Sequence, residues 1–150
     1  IKRQRAKEII ASYNEQFNTL EAFTKSCIEL AREKEYAETI MGRRRKLPGI
    51  NSNNGMVKAF AERNAVNAPI QGSAADIIKV AMVKLFNELE KGDWKAKIIM
   101  QVHDELVLDV PKHELESLKP IVRECMESAV EIIVPLIVDM KSGEDWLAAH

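Results

Sequence analysis

The chain is predicted to adopt an α+β fold, with helices packed on one face of a small antiparallel sheet. Three observations lead there. Two short aliphatic runs, Ile98-Ile99-Met100 and Leu106-Val107-Leu108, flank Gln101-Val102-His103-Asp104-Glu105 and leave almost no room for a loop. That pattern reads as two strands closing a tight hairpin. Ile70, Ala74, Ile77, Ile78, Ala81, Met82, Leu85, Phe86 and Leu89 follow a period close to 3.6, which marks a core-facing helix. The order of segments is helix, helix, small hairpin, two helices, hairpin, helix and strand.

The elements can be justified in order. Residues 4–34 read as helix with a break near Phe17-Asn18-Thr19, where Thr19 is a candidate N-cap. Leu20, Phe23, Cys27, Leu30 and Ala31 recur at three- and four-residue steps and predict a buried stripe. Tyr36–Ile40 and Arg45–Leu47 suggest a small hairpin turning at Gly42, ended by Pro48-Gly49 and followed by the polar loop Asn51-Ser52-Asn53-Asn54-Gly55. A helix is expected from Gly55 to about Val66. The next begins with Pro69 in its first turn, where a missing N–H costs nothing, and ends at Lys91-Gly92-Asp93. After the His103 hairpin, a helix over 112–133 and a third strand at Leu136–Met140 are expected, with Gly143-Glu144-Asp145-Trp146 near the end.

Composition excludes several classes. The 150 residues are 46% apolar and 30% charged, ordinary for a water-soluble globular chain. No stretch approaches the ~20 apolar residues of a membrane span, and no signal peptide follows Ile1-Lys2-Arg3-Gln4-Arg5. A start without Met suggests that the chain begins inside a longer gene product. Cys27 and Cys125 are isolated, which suits buried thiols in a reducing cytoplasm better than a disulfide or a zinc site. His103, His113 and His150 are too scattered for a histidine-rich metal site.

Residues 1–67 carry 13 Lys and Arg against 8 Asp and Glu, whereas residues 68–150 carry 9 against 15. A basic half facing a polyanion and an acidic half holding metal is one reading. Solvated helix faces that happen to differ in charge are the other. The same duality holds at the hairpin tip. His103-Asp104 is a poor choice for a turn that favours Asn-Gly or Gly-X, which hints at chemistry. Two adjacent carboxylates beside a histidine suit Mg²⁺, which takes one or two protein carboxylates and fills its shell with water and phosphate oxygens. A charged turn facing solvent is the plain alternative. Arg63, Asn67 and Gln71 lie at successive four-residue steps and form one face of hydrogen-bond donors. Such a row can meet the acceptors that every base pair presents in the minor groove, checking pairing without reading sequence. A polar helix surface is the alternative there. Arg43, Arg44, Arg45 and Lys46 could hold phosphates or line a solvated turn.

Several motifs resemble those of family A DNA polymerases, the bacterial polymerase I group. Arg63–Lys79, with Arg63, Asn67, Gln71 and Gly72-Ser73-Ala74-Ala75-Asp76, resembles the signature before that family's last motif. Gln101-Val102-His103-Asp104-Glu105-Leu106-Val107 resembles the last motif itself, on the palm hairpin. Gly42-Arg43-Arg44-Arg45 with Leu47-Pro48, and Ser142-Gly143-Glu144-Asp145-Trp146, match further landmarks in order. Four motifs in register across essentially the whole chain make the resemblance specific.

The resemblance implies roles. Asp104 looks like the palm carboxylate for two catalytic Mg²⁺ ions, Glu105 like the supporting acid, and His103 like the residue near the primer 3′ end. Arg63, Asn67 and Gln71 are similar to residues touching primer and template in the minor groove. The implied reaction is attack of a primer 3′-hydroxyl on a deoxynucleotide α-phosphate, serving DNA replication and repair. Primer–template DNA and deoxynucleoside triphosphates are the implied partners. The family's other metal-binding aspartate and its nucleotide-gripping helix with Arg, Lys and Tyr do not appear. The chain therefore reads as a C-terminal polymerase fragment, with 1–67 mainly the rear of the fingers and 68–150 mainly the palm, inactive alone. A stand-alone nucleic-acid binding module shares the basic face and the donor row. A metal phosphohydrolase would need further ligands that His113 and His150 are poorly placed to supply.

Overall fold

The structure, a computed structural model, describes residues 2–149; Ile1 and His150, and with it the expectation that His150 supplies no ligand, lie outside them. Five helices and four strands follow in the order α1 (Arg3–Gln16), α2 (Asn18–Lys34), β1 (Tyr36–Glu38), β2 (Arg44–Lys46), α3 (Gly55–Lys91), β3 (Lys97–Val102), β4 (Glu105–Asp109), α4 (Leu115–Glu127) and α5 (Trp146–Ala149) among the described residues. The α+β class holds, and both hairpins form. The chain divides into two compact units, Ile1–Ser73 and Ala74–His150. No helix among the described residues is long and apolar enough to cross a membrane.

In the first unit, the break between α1 and α2 falls at Phe17, which occupies the N-cap position of α2 in place of the expected Thr19. The expected stripe on α2 is only partly buried. Ala31 is buried and Cys27 half-buried, whereas Leu20, Phe23 and Leu30 are exposed. The core instead joins Ala31 to Ala37, Leu47, Ile50, Ala61, Ala65 and Ala68, with Ile28 packed against it. Small side chains on α3 let this hairpin and loop approach closely. β1 and β2 pair antiparallel, Tyr36 with Lys46 and Glu38 with Arg44. Gly42 turns them at φ +79°. Asn54 then caps α3, its Oδ1 accepting from the N–H groups of Met56 at 3.0 Å and Val57 at 3.4 Å.

The two helices expected to meet at Pro69 are one. α3 runs through Pro69 without interruption. An interior proline removes one hydrogen bond and crowds the carbonyl four residues back, at about 3 kcal/mol. Here alanine-rich sequence on both sides sustains the helix, and Ser73 Oγ donates to the Pro69 carbonyl while accepting from the Ile40 N–H at 3.0 Å.

The second unit has its own core: Leu85, Leu89, Ala96, Leu118, Val122 and Cys125, with Trp94, Ile98, Leu106 and Leu108 among the residues packed on it. The stripe on α3 narrows to Ile78, Ala81, Leu85 and Leu89, while Ile70 and Phe86 stay exposed. α4 is shorter than expected at both ends. Its approach is a turn in which the Glu114 N–H donates to the Pro111 carbonyl at 2.9 Å. Its exit meets Val130, Ile132, Ile133 and Val134, whose β-branched side chains disfavour helix. The third strand expected at Leu136–Met140 does not join a sheet; β3 and β4 pair only with each other among the described residues. Its backbone is taken by α4 side chains instead. Val138 N–H donates to Glu127 Oε1 at 3.0 Å, and Arg123 Nη1 donates to the Val138 carbonyl at 2.8 Å.

Candidate active site

The ladder between β3 and β4 runs from Lys97–Asp109 to Val102–Glu105, with an irregularity between Ile98 and Met100. Only His103 and Asp104 remain to close the loop. Such loops need a left-handed residue, normally Gly or Asn. His103 supplies it at φ +55°. Histidine tolerates that region better than most side chains, though worse than glycine. The Gln101 side-chain amide donates to the His103 carbonyl and braces the turn. Gln101, His103, Asp104 and Glu105 are all exposed.

Asp104 and Glu105 therefore present two adjacent carboxylates to solvent on a short, braced ribbon. Hard oxygen donors in that setting fit a divalent cation that keeps much of its water. Among the described residues, no group of three or more His, Cys, Asp or Glu side chains is assembled to hold a metal. The donor set fits part of a cation's coordination shell.

Arg63, Asn67 and Gln71 stand in line on the exposed face of α3, opposite the buried Ala61, Ala65 and Ala68. The Arg63 guanidinium lies 5.9 Å from the centre of the Phe60 ring. Its neighbour Asn64 is spent locally, donating to the Phe60 carbonyl at 3.0 Å.

The basic run is divided by the hairpin that carries it. Arg43 turns back on α3, its Nη2 donating to the Gly72 carbonyl at 3.0 Å. Arg44 is held by Glu38 at 2.7 Å, with its guanidinium 4.7 Å above the Tyr36 ring. The hydrogen bond to Glu38 pushes the Arg44 pKa further above its ordinary value. Arg45 alternates to the other face of β2 and is exposed. Of the sequence-predicted residues, the structure brings together Arg63, Asn67 and Gln71 on one helix face, and His103, Asp104 and Glu105 at one hairpin tip.

The sequence profile of DNA polymerase family A matches residues 1–148. The chain belongs to DNA polymerase family A. Among similar proteins, DNA polymerase I of Lactococcus lactis is 46% identical over 149 residues, covering 99% of this chain and 17% of that protein. DNA polymerase I of Streptococcus pneumoniae is 47% identical over 149 residues, with the same 99% and 17% coverage. The POL domain of Pol1 from M. smegmatis, solved in complex with DNA primer-template and dNTP, superimposes with a TM-score of 0.96 at 41% identity. It is matched over 99% of this chain and 26% of its own length. This family A chain thus spans about a sixth of the length of those curated relatives.

Sequence reasoning missed how the donor row is held. A Cβ at Gly72 would lie 2.5 Å from Thr39 Cγ2 and 3.4 Å from Arg43 Nη2, so α3 and the β1–β2 turn meet where only glycine fits. The glycine beside Gln71 was the available signal.

Proposed function

We propose that this chain acts as part of a DNA-directed DNA polymerase that adds deoxynucleotides to a primer 3′ end on a template, in cytoplasmic DNA replication and repair. The observation that carries this reading is the hairpin tip. A family A chain spends a two-residue turn on His103-Asp104, accepts a left-handed histidine, and leaves both following carboxylates in water. Asp104 is the principal metal-binding carboxylate and Glu105 its supporting neighbour. Bound Mg²⁺ would activate the primer 3′-hydroxyl and stabilise the leaving pyrophosphate. His103 sits beside the primer terminus. Arg63, Asn67 and Gln71 donate to minor-groove acceptors of the primer–template duplex, with Arg45 and its neighbours on phosphates. Residues 1–67 correspond mainly to the rear of the fingers and 68–150 mainly to the palm.

The test is Asp104→Asn in an intact polymerase carrying this sequence. Asparagine keeps the shape and one carbonyl oxygen but loses the charge that fixes a cation. Turnover in primer extension should fall by roughly 10²–10³-fold or more, with primer–template affinity nearly unchanged. Near-normal kcat would make the tip a solvated turn and leave the reading as a non-catalytic DNA-binding module.

A further inference from the structure

The hairpin that carries Asp104 is a two-stranded ribbon, and such ribbons are marginal in water unless something holds them. Its apolar side chains Ile98, Leu106 and Leu108 pack on the core of this unit, and the backbone at its root is tied by the side chain of Glu114. Glu114 is 9% exposed, one of few buried charged groups. Its carboxylate accepts from the Lys95 N–H at 3.1 Å on both oxygens, and from the Ala96 N–H at 3.1 Å on Oε2. Those two residues lead directly into β3. The Glu114 N–H donates at 2.9 Å to the carbonyl of Pro111, just past the end of β4, and its own carbonyl accepts from Leu118 N–H at 2.9 Å within α4. Glu114 therefore ties both ends of the ribbon root, beside the Lys97–Asp109 pair, to the first turn of α4. Ala96 and Leu118, on either side of the tie, are both in the core.

We propose that Glu114 is a positioning residue for the Asp104–Glu105 tip. A carboxylate at helix start ordinarily faces water or caps its own helix. This one is buried and spends both oxygens on the backbone of another segment. Backbone N–H groups entering a core need partners, and here one carboxylate supplies them to two consecutive residues. With both strands fixed at the root, the ribbon has one orientation on α4, and the tip inherits it. Removal of the carboxylate leaves the buried Ala96 N–H and the part-buried Lys95 N–H without this acceptor and frees the root to rock. His113, whose Nε2 lies 3.7 Å from Glu114 Oε1, is exposed and adds little to the clamp. The metal-holding part of this inference rests on the function proposed above; the mechanical part does not.

The experiment uses an intact polymerase carrying this sequence with Glu114→Ala and Glu114→Gln, the latter keeping the shape and one accepting oxygen. Amide hydrogen exchange is read residue by residue, and Mn²⁺ binding is followed by relaxation enhancement at His103–Glu105. Glu114→Ala should speed exchange at least tenfold at Lys95 and Ala96, and also across Val102–Glu105. It should weaken Mn²⁺ at the tip by roughly tenfold; Glu114→Gln should restore most of both. Faster exchange confined to Lys95 and Ala96, with the tip unchanged, overturns the inference. So does a Glu114→Gln variant that matches Glu114→Ala at the tip. If the tip amides respond but the unsubstituted polymerase binds no Mn²⁺ there, positioning stands and the metal assignment of Asp104 fails.

Discussion

His103 holds a backbone position that glycine would hold more cheaply. A left-handed φ costs a non-glycine residue on the order of 1–2 kcal/mol, while glycine gives back part of that in unfolded-chain entropy. His103→Gly should therefore raise stability by about 0.5–1 kcal/mol, read as a higher urea midpoint at unchanged slope. A midpoint that stays or falls means the turn is unstrained. The tip was legible in sequence because the gap between two aliphatic runs admits no longer loop. Glu114 was not legible. After Pro111-Lys112-His113 it looks like any acid in a first helical turn, and only the approach of Lys95 and Ala96 in space buries it. The thiols show the same limit: spacing placed both on helices, but Cys125 is buried and Cys27 only half-buried. Burial raises both thiol pKa values, with the carboxylates of Glu88 and Glu124 adding to the effect at Cys125. Because the neutral thiol is the favoured folded form, its contribution is complete below the ordinary thiol pKa and lost as pH rises through the raised one. Thiol labelling between pH 7 and 10 should modify Cys27 before Cys125, and both more slowly than in urea; equal rates would deny the burial.

At the scale of elements, the informative contact is α3 against the β1–β2 turn. Gly72→Ala would push a methyl group into Thr39 Cγ2. Overpacking of this kind costs about 1–3 kcal/mol. The double variant Gly72→Ala/Thr39→Ser removes the obstructing methyl and should recover much of the loss in thermal unfolding. Additive losses in the double variant would place the strain elsewhere. Pro69 shows why element boundaries were harder to read than elements. A proline after a helical pattern is ordinarily a stop or a first-turn residue, and the local rule gives no weight to the helix formers on both sides of it. Likewise Leu136–Met140 has the aliphatic, β-branched composition of a strand, but a strand exists only through a partner, and here Arg123 and Glu127 take its backbone groups. Periodicity locates apolar faces well; it does not say which of them find cover. The exposed Phe23 and Leu30 on α2 make that plain.

For the whole molecule, charge counting overstated the basic face. Four consecutive cations looked available for phosphate, yet Arg43 is bonded to Gly72 and Arg44 to Glu38. Arg45, Lys46 and Arg63 are exposed cations of this region with no ionic partner among the described residues to displace. With roughly 0.9 of a counterion released per phosphate contact, the chain should bind duplex DNA weakly, with a log–log salt slope of about −2 to −3. Titration at several salt concentrations measures it; a slope steeper than about −4 would mean that Arg43 and Arg44 let go of their partners. The unbroken course of α3 has a consequence for how sequences of this kind can vary in length. Each residue added to a helix turns everything beyond it by about 100°. One residue inserted between Ala68 and Gln71 would carry Gln71 off the face that Arg63 and Asn67 share, and would swing Gly72 away from Thr39. Insertions and deletions should therefore be tolerated in the turns, at Asn51–Asn54, around Gly92-Asp93 and after Glu127, and not between Gly55 and Lys91.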